Sequence, residues 1–344
     1  MNRAKYLYTI SILLLINILI YASPNNPSIF DQLDQEEVLQ ATIELDIAAL
    51  TEADWRDEGK HRAVFSYEDE NKEKHFWNIK LQKRGKFRRL HCEGLPPLKM
   101  FFDKEDLEQE GLAKFNDMKI VNYCLEDKET ARELILKEYL AYKMYNELTE
   151  ESFRVKLLKV NYQDVQSKRK LKQWVILIED TAEMRDRIGA KKYKMNPEIA
   201  DNHFDTSRIQ LTALFQYMIG NADWDMLLEK NAKVVEKDDK VITIPYDFDF
   251  SGLVNPPYGT ANTRYNLTTL TERVYLGPTG GHLSSIIRYF DSKKDELAAI
   301  IETNRWLSGE SKETMVAYLD SFYDDLNLSK IEGDLPQESY TQLD

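Results

Sequence analysis

Two segments largely determine how this chain can fold: Tyr217-Met-Ile-Gly-Asn-Ala-Asp-Trp-Asp-Met-Leu-Leu-Glu-Lys-Asn231 and Ile244-Pro-Tyr-Asp-Phe-Asp-Phe-Ser-Gly252. The first follows a helical pattern that ends at Gly220, so its polar side chains are predicted to lie in a loop. The second opens as a strand, and its period-2 alternation places Asp247 and Asp249 on one face. Two carboxylates beside an apolar face are suited to binding a divalent cation.

A hairpin is predicted between these segments, with strands at Ala232–Val235 and Val241–Tyr246 and a charged turn. The order loop Asp, Asn, hairpin, Asp is the one that kinase-like phosphoryl transfer requires. In that reading Asp223 orients the attacking hydroxyl and Asn231 helps to hold the metal. Any one of these aspartates taken alone is better explained as a cap or turn residue or as a solvent-exposed carboxylate, so the prediction rests on their order.

A helix is predicted over Glu129–Leu148, and Glu138 falls inside its apolar stripe. A carboxylate at such a position is costly unless it is paired, and a strand lysine is the natural partner. Lys99 is the first candidate for that partner and Lys80 is the second. The pair would orient the phosphates of a nucleotide.

Two further segments are candidates for nucleotide contact. Arg84-Gly-Lys-Phe-Arg-Arg89 is a tight basic turn that could bind phosphate, although a solvent-exposed basic turn explains it equally well. Glu179, in Ile176-Leu-Ile-Glu-Asp180, ends a strand where a hinge between two lobes would fall. The sequence has no GxGxxG loop, so any phosphate cover must be of another kind.

The order of predicted elements indicates an α+β chain with two lobes. Strand patterns dominate the first part, and they are Thr42–Ile47, Arg62–Glu68, Phe76–Gln82, Leu95–Phe102, Arg154–Tyr162 and Leu171–Ile178. Helical patterns dominate the second part, and they are Asp205–Ile219, Ser284–Thr303 and Ser311–Leu328. We therefore expect a β-rich N-lobe at 41–180 with one main helix, and a mainly helical C-lobe at 181–330.

The N-terminus predicts export from the cytoplasm. Residues 1–22 have a basic start, a 13-residue apolar run from Tyr8 to Ile20 and a small residue at Ala22, as in a secretory signal peptide. Residues 23–40 are expected to be an extension and 331–344 a polar tail. The mature protein is expected to be periplasmic or extracellular, with no membrane span. In such a compartment Cys92 and Cys124 could form a disulfide or remain buried thiols.

Composition excludes several classes of protein. The chain has 344 residues, 42% of them hydrophobic, which is enough to fill a core and rules out wholesale disorder. Lys and Arg number 46 against 59 Asp and Glu, giving a net charge of −13. Without a dense basic block, that charge argues against binding to duplex nucleic acid.

The sequence resembles the CotH-type kinase-like proteins, a family of spore-coat and secreted atypical kinases, in an uncharacterised secreted bacterial branch. HipA-type kinases are a more distant resemblance. The matching pieces are Lys83-Arg-Gly85 with Arg88-Arg89, Pro96-Pro-Leu-Lys99, the helix of Glu138, Ile178-Glu-Asp180, Gly220-Asn-Ala-Asp223 and Tyr246-Asp-Phe-Asp-Phe-Ser-Gly252.

The resemblance implies a two-lobed protein-kinase-like fold that uses ATP and Mg²⁺ or Mn²⁺. It makes Asp223 the catalytic aspartate, Asn231 a metal ligand, and Asp247 or Asp249 the metal aspartate. One departure is the spacing, because eight positions separate Asp223 from Asn231 and kinase loops usually have about five.

The leading hypothesis is an exported kinase that phosphorylates a hydroxyl of a protein or a small molecule. The alternative is a pseudokinase, a non-catalytic module for binding or assembly in the cell envelope. A metal-dependent hydrolase built on the same aspartates is a third and weaker reading, since the five histidines are scattered and lack metal-ligand spacing. The sequence leaves the acceptor and the oligomeric state open.

Overall fold

The computed structural model describes residues 26–34, 36–51, 59–85, 95–123, 125–195, 203–324 and 326–335. The predicted signal peptide, both cysteines and Arg88-Arg89 lie outside these residues. In the described part of the chain, no helix is long and apolar enough to cross a membrane.

The architecture is mixed α+β. The strands are β1 (Val38–Leu45), β2 (His61–Glu68), β3 (Lys74–Lys83), β4 (Leu98–Phe102), β5 (Asp117–Val121), β6 (Val155–Asp164), β7 (Lys170–Ile178), β8 (Lys191–Lys192), β9 (Ala232–Lys237) and β10 (Lys240–Pro245). The helices are α1 (Ile29–Leu33), α2 (Ile47–Thr51), α3 (Lys104–Gln109), α4 (Lys128–Leu148), α5 (Thr181–Arg187), α6 (Thr206–Met218), α7 (Leu283–Ser292), α8 (Lys294–Glu302), α9 (Gly309–Asp324) and α10 (Leu328–Gly333).

The first seven strands form a closed barrel in the order β1-β2-β3-β4-β5-β7-β6. Neighbouring strands are antiparallel except β1 and β6, which close the barrel as a parallel pair in the register Val38↔Leu157 to Leu45↔Asp164. Alternate residues of each strand point inward, and the barrel interior is a continuous apolar core. Closure leaves none of the seven strands with an unpaired edge.

Helix α4 connects the barrel to the helical part. It packs against β7 on one side and against α8 and α9 on the other. Its N-cap is Asp127, whose side chain accepts hydrogen bonds from the backbone N–H groups of Glu129 and Thr130. The second apolar core contains the buried face of α4 together with α6, β9, β10 and the C-terminal helices.

The six predicted strands of the first part are all present, within a few residues of the expected ends. Strand β5 was not predicted, because its five residues alternate charged and apolar side chains too briefly to define a period. The hairpin of β9 and β10 is also present, and its turn residues Asp238 and Asp239 both have positive φ, as a type I′ turn requires.

Three other expectations are wrong in detail. The single helix expected over Ser284–Thr303 is two helices, α7 and α8, which meet at Lys293. The helix expected over Ser311–Leu328 ends at Asp324 and is followed by the separate helix α10. Residues beyond 330 are not simply a polar tail, because Ile331 is fully buried in the second core.

The expected extension at 23–40 is partly integrated into the barrel. Ile29, Phe30 and Leu33 of α1 are fully buried in the barrel core. Strand β1 begins at Val38, so part of this segment pairs directly with β6. Helix α1 was not predicted, because five residues are too few to show helical periodicity.

Candidate active site

The loop that carries Asp223 is built at the end of α6. Gly220 has φ +64, and a side chain there would collide with the hydroxyl of Tyr318, so the left-handed exit requires glycine. The Asn221 side chain then accepts a hydrogen bond from the backbone N–H of Asp223 at 2.9 Å. This bond fixes the direction in which the loop leaves the helix. Asp223 lies in the loop after Gly220, where the sequence predicted it.

Asp223 and Asn231 lie side by side despite their wide spacing in sequence. The Nδ2 of Asn231 donates to the carbonyl oxygen of Asp223 at 2.7 Å and to its carboxylate at 2.9 Å. Between them Asp225 and Lys230 exchange two backbone hydrogen bonds, so residues 226–229 form a separate small loop. This small loop takes up the residues that make the spacing from Asp223 to Asn231 wider than usual, so the two side chains still meet. Lys230 also forms an ion pair with the Asp223 carboxylate.

The acidic segment after β10 does not have the strand geometry that the alternation predicted. The strand ends at Pro245, and Asp247 has φ +67, in the left-handed region. Asp247 is half-buried and Asp249 is buried, so the two carboxylates are not equivalent neighbours on one strand face. The reason is that tertiary contacts, and not a partner strand, fix the backbone here.

Two contacts hold the Asp247 segment against the rest of the site. The backbone N–H of Tyr246 donates to the carbonyl oxygen of Asn231 at 3.0 Å. The backbone N–H of Asp247 donates to the hydroxyl of Tyr142, on α4, at 2.8 Å. The backbone at Tyr246 and Asp247 is therefore held against Asn231 and α4. The carboxylate of Asp247 forms no hydrogen bond or ion pair with the other described residues.

Glu138 occupies the predicted position inside the apolar face of α4, but its predicted partner is wrong. Glu138 is fully buried and accepts a hydrogen bond from the hydroxyl of Tyr123 at 2.9 Å. The ammonium of Lys99 instead forms an ion pair with Asp117 at 3.0 Å. Lys80, the second candidate, is exposed on the outside of β3. The sequence could not resolve this choice, because the partner depends on how β4 and β5 pair.

The lysine that the sequence analysis missed is Lys119 on β5. It is the direct cross-strand neighbour of Lys99, so both side chains lie on one face of the sheet. Its ammonium donates to the hydroxyl of Thr181 at 3.1 Å and lies 5.7 Å from the ring centre of Tyr246. Lys119 therefore connects the barrel to the segment that carries Asp247. Its position in the strand that precedes the helix of Glu138 was a usable signal, had β5 been recognised.

The environment of Lys119 is strongly cationic. Burial, together with Arg84, Lys99 and Lys233, lowers the pKa of Lys119 to about 7, and Asp117 opposes this effect. Lys119 is half-buried by its exposed surface. Four basic side chains facing one carboxylate make a site that would be stabilised by an anion. Arg84 was predicted to contact phosphate, and the structure does bring it to this cluster.

Glu179 was predicted to contact a cofactor, but its carboxylate is already engaged. One oxygen accepts from the backbone N–H of Arg154 at 2.7 Å and from the guanidinium of Arg187 at 2.6 Å. The other accepts from Nε of Arg154 at 2.8 Å. Since Glu179 is fully buried among these donors, it stabilises the junction between β7 and α5 and does not present its carboxylate to a ligand.

One more group of side chains has the composition of a metal site, at the turn between β2 and β3. Asp69, Glu73 and His75 lie close enough to share an ion. However, the Asp69 carboxylate accepts hydrogen bonds from the backbone N–H groups of Asn71 and Glu73 and contacts His75 at 3.1 Å. These bonds account for the cluster as the closure of a turn.

Comparisons with known proteins give little further information. No protein-family model and no curated protein matches the chain. Among solved structures, the chain is similar to the crystal structure of a Helicobacter pylori proinflammatory kinase, CtkA, with 10% sequence identity and a TM-score of 0.38. The similarity covers 67% of this chain and 90% of that one. A TM-score this low does not establish a shared fold, so the function must be inferred from the residues of this chain.

Proposed function

We propose that this chain is an exported kinase-like phosphotransferase that moves the γ-phosphoryl group of ATP to a hydroxyl of a protein or a small molecule. The observation that carries the proposal is the contact between Asp223 and Asn231 beside Asp247. These are the three residue types that such chemistry requires, and they come from separate segments of the chain. The barrel and the helical part would be the two lobes of a kinase-like fold.

Asp223 is proposed to orient the acceptor hydroxyl and to accept its proton. Lys230 pairs with the Asp223 carboxylate, and a cation there would also attract the phosphoryl group as it is transferred. Lys119 and Arg84 are proposed to hold the phosphates of the nucleotide, in place of the Lys99 and Glu138 pair expected from the sequence. Lys99 would contribute to the same positive potential without forming that pair.

The donor set next to Asp223 fits Mg²⁺ or Mn²⁺. The carboxylate of Asp247 has no hydrogen bond or ion pair with the other described residues. The side-chain Nδ2 of Asn231 donates to Asp223, so the side-chain oxygen Oδ1 remains a candidate metal ligand. Hard oxygen donors of this kind suit both ions, and the buried Asp249 is the second carboxylate candidate. A bound divalent cation would neutralise charge on the phosphates.

The family and the location remain proposals of the same kind. We propose that the chain is a divergent secreted relative of the CotH-type kinases, on the motifs quoted from its sequence. Export is proposed from the pattern of residues 1–22.

The second candidate function is a non-catalytic envelope module with the same fold. The observation that favours it is the ion pair of Lys230 with Asp223, because the lysine and Asn231 already occupy the carboxylate that an acceptor hydroxyl would have to reach. The two candidates differ in phosphoryl transfer, which the module would lack.

The test compares the wild type with Asp223→Asn and with the matched control Asp239→Asn, which changes an exposed turn residue. Radiolabelled ATP with Mg²⁺ or Mn²⁺ is supplied together with a mixture of Ser, Thr and Tyr peptides. Transfer should fall by at least about a hundredfold in Asp223→Asn, with nucleotide binding retained, and should be unchanged in Asp239→Asn. Nucleotide binding without transfer in the wild type would favour the non-catalytic module. Release of free phosphate without acceptor labelling would favour a hydrolase.

A further inference from the structure

The segment that follows Asp249 folds back over the loop of Asp223. A partly open cavity of about 230 Å³ lies between them, and Asp223 and Lys230 contribute to its lining. The lining also includes three threonines, Thr260, Thr263 and Thr269. A cavity of this size accepts a side chain and not a folded domain. The chain thus places hydroxyl groups of its own in the space next to its candidate catalytic aspartate.

Thr263 is held over the Asp223 loop by the residues on both sides of it. The Nδ2 of Asn262 donates to the carbonyl oxygen of Ala222 at 2.7 Å, one residue before Asp223. The guanidinium of Arg264 lies 3.9 Å from the carboxylate of Asp225, two residues after Asp223. A short 3₁₀ turn, Thr263–Tyr265, makes this geometry rigid, since Asn262 also caps the turn.

The hydroxyl of Thr263 is available to react. Thr263 is exposed, and its hydroxyl forms no hydrogen bond with the other described residues. Thr269 differs, because its hydroxyl contacts that of Thr271 at 3.2 Å and its backbone is bound by Glu272. The hydroxyl of Thr260 also forms no hydrogen bond within the described residues, but the residues beside Thr260 make no contact there with the Asp223 loop. Thr263 is therefore the best-positioned acceptor of the three.

We propose that Thr263 is a site of self-phosphorylation, modified within the same molecule by the Asp223 site. This inference rests on the proposed function. The hydroxyl oxygen of Thr263 attacks the γ-phosphorus of ATP, the bond from that phosphorus to the bridging oxygen breaks, and ADP leaves with the bond electrons. The hydroxyl proton passes to the Asp223 carboxylate, so atoms and charges balance and no further reactant is needed.

The surroundings of Thr263 suit the product. A phosphothreonine carries a charge of about −1.5 to −2, and it needs cations nearby to be stabilised. Arg264 is the next residue and its side chain is 66% exposed, so a phosphate on Thr263 would compete with Asp225 for its guanidinium. Lys230 lines the same cavity and would be attracted away from Asp223. Modification would thus weaken the ion pair that now occupies the Asp223 carboxylate.

The test is mass spectrometry of the purified protein after incubation with ATP and Mg²⁺ or Mn²⁺. We expect one phosphoryl group on the peptide that contains Thr263, formed at a first-order rate that does not change with protein concentration. The variant Thr263→Val should lose this modification, and Thr260→Val, the matched control from the same cavity, should keep it. Because both threonines are exposed, neither substitution should affect folding.

Three outcomes would overturn the inference. They are phosphate on other residues only, an unchanged phosphate content in Thr263→Val, and a rate that rises with protein concentration. Labelling of the external peptide mixture in the same reaction separates this failure from failure of the proposed function. If the peptides are phosphorylated and Thr263 is not, the function stands and the inference falls. If neither is phosphorylated, both fall.

Discussion

The pKa of Lys119 predicts an unusual pH dependence of nucleotide binding. Burial and the neighbouring cations lower this pKa to about 7 from an ordinary value of 10.5. Above pH 7 the free protein therefore holds Lys119 largely neutral. Phosphate groups placed beside the ammonium would raise its pKa again, so binding requires uptake of a proton from solution.

The magnitude follows from linkage. For one proton taken up, the association constant falls about tenfold for each pH unit above the pKa of the free protein. Between pH 7.5 and pH 9 we expect nucleotide affinity to weaken by roughly twentyfold to thirtyfold. ATP contributes little to this change, because the second ionisation of a phosphate, near pH 6, is complete in this range.

Loss of the fold does not confound the measurement. The folded pKa of Lys119 is below the unfolded value, so the unfolded chain binds more protons between about pH 7 and pH 10.5. Stability from this group therefore increases with pH over that interval.

The assay is isothermal titration of the protein with ATP and Mg²⁺ at several pH values, in pairs of buffers that differ in ionisation enthalpy. Near pH 8 the wild type should take up close to one proton per nucleotide bound. Lys119→Arg keeps its charge throughout and should bind with a nearly flat pH profile. Lys119→Met should bind weakly at every pH. Affinity that is independent of pH in the wild type, or an equal pH slope in Lys119→Arg, would refute the assignment of Lys119.

Three further predictions concern the support of the site. Tyr142→Phe removes the acceptor of the Asp247 backbone N–H. We expect the free energy of urea unfolding to fall by about 1–3 kcal/mol and metal-dependent nucleotide binding to weaken. Tyr139→Phe is the control, and equal losses in both variants would contradict this role of Tyr142. In a double-mutant cycle, Lys99 and Asp117 should show coupling of up to about 1 kcal/mol, whereas Lys99 and Glu138 should be additive; coupling of the second pair would restore the prediction from sequence. Burial raises the pKa of Glu183 to about 7, with Ser28 and Arg154 acting in the opposite direction. Between about pH 4.5 and 7 the folded protein therefore binds more protons than the unfolded chain. The contribution of Glu183 to stability declines as pH rises through that interval. Thermal unfolding across that range should show a smaller decline in Glu183→Gln, and identical profiles would disprove the shift.

Local sequence determined most of the regular structure. Alternation predicted β1, β2 and β3, and the helical period predicted α4 and α6, because each of these elements is long enough to repeat its pattern. The loop residues were equally informative. Gly220 fixed the end of α6, and the order of Asp223 and Asn231 predicted residues that do lie in contact.

Which lysine lies at the candidate site is decided by the tertiary structure alone. Lys99 was chosen from its own segment, but the identity of its neighbour depends on the pairing of β4 with β5. That pairing, like the closure of β1 on β6, joins residues far apart in the chain and leaves no periodic signal in either strand. For the same reason the two arginines that bind Glu179 could not be predicted from its own segment.

The tertiary structure also decided the geometry of the acidic segment. Alternation favoured a strand through Asp247 and Asp249, yet no neighbouring strand continues alongside it beyond Pro245 in the described part of the chain. The hydroxyl of Tyr142, from a helix more than a hundred residues earlier, takes the backbone N–H of Asp247 instead. The sequence thus determined which residue types reach the site, and long-range hydrogen bonds and burial determined how they are directed, because those interactions depend on partners that local sequence does not contain.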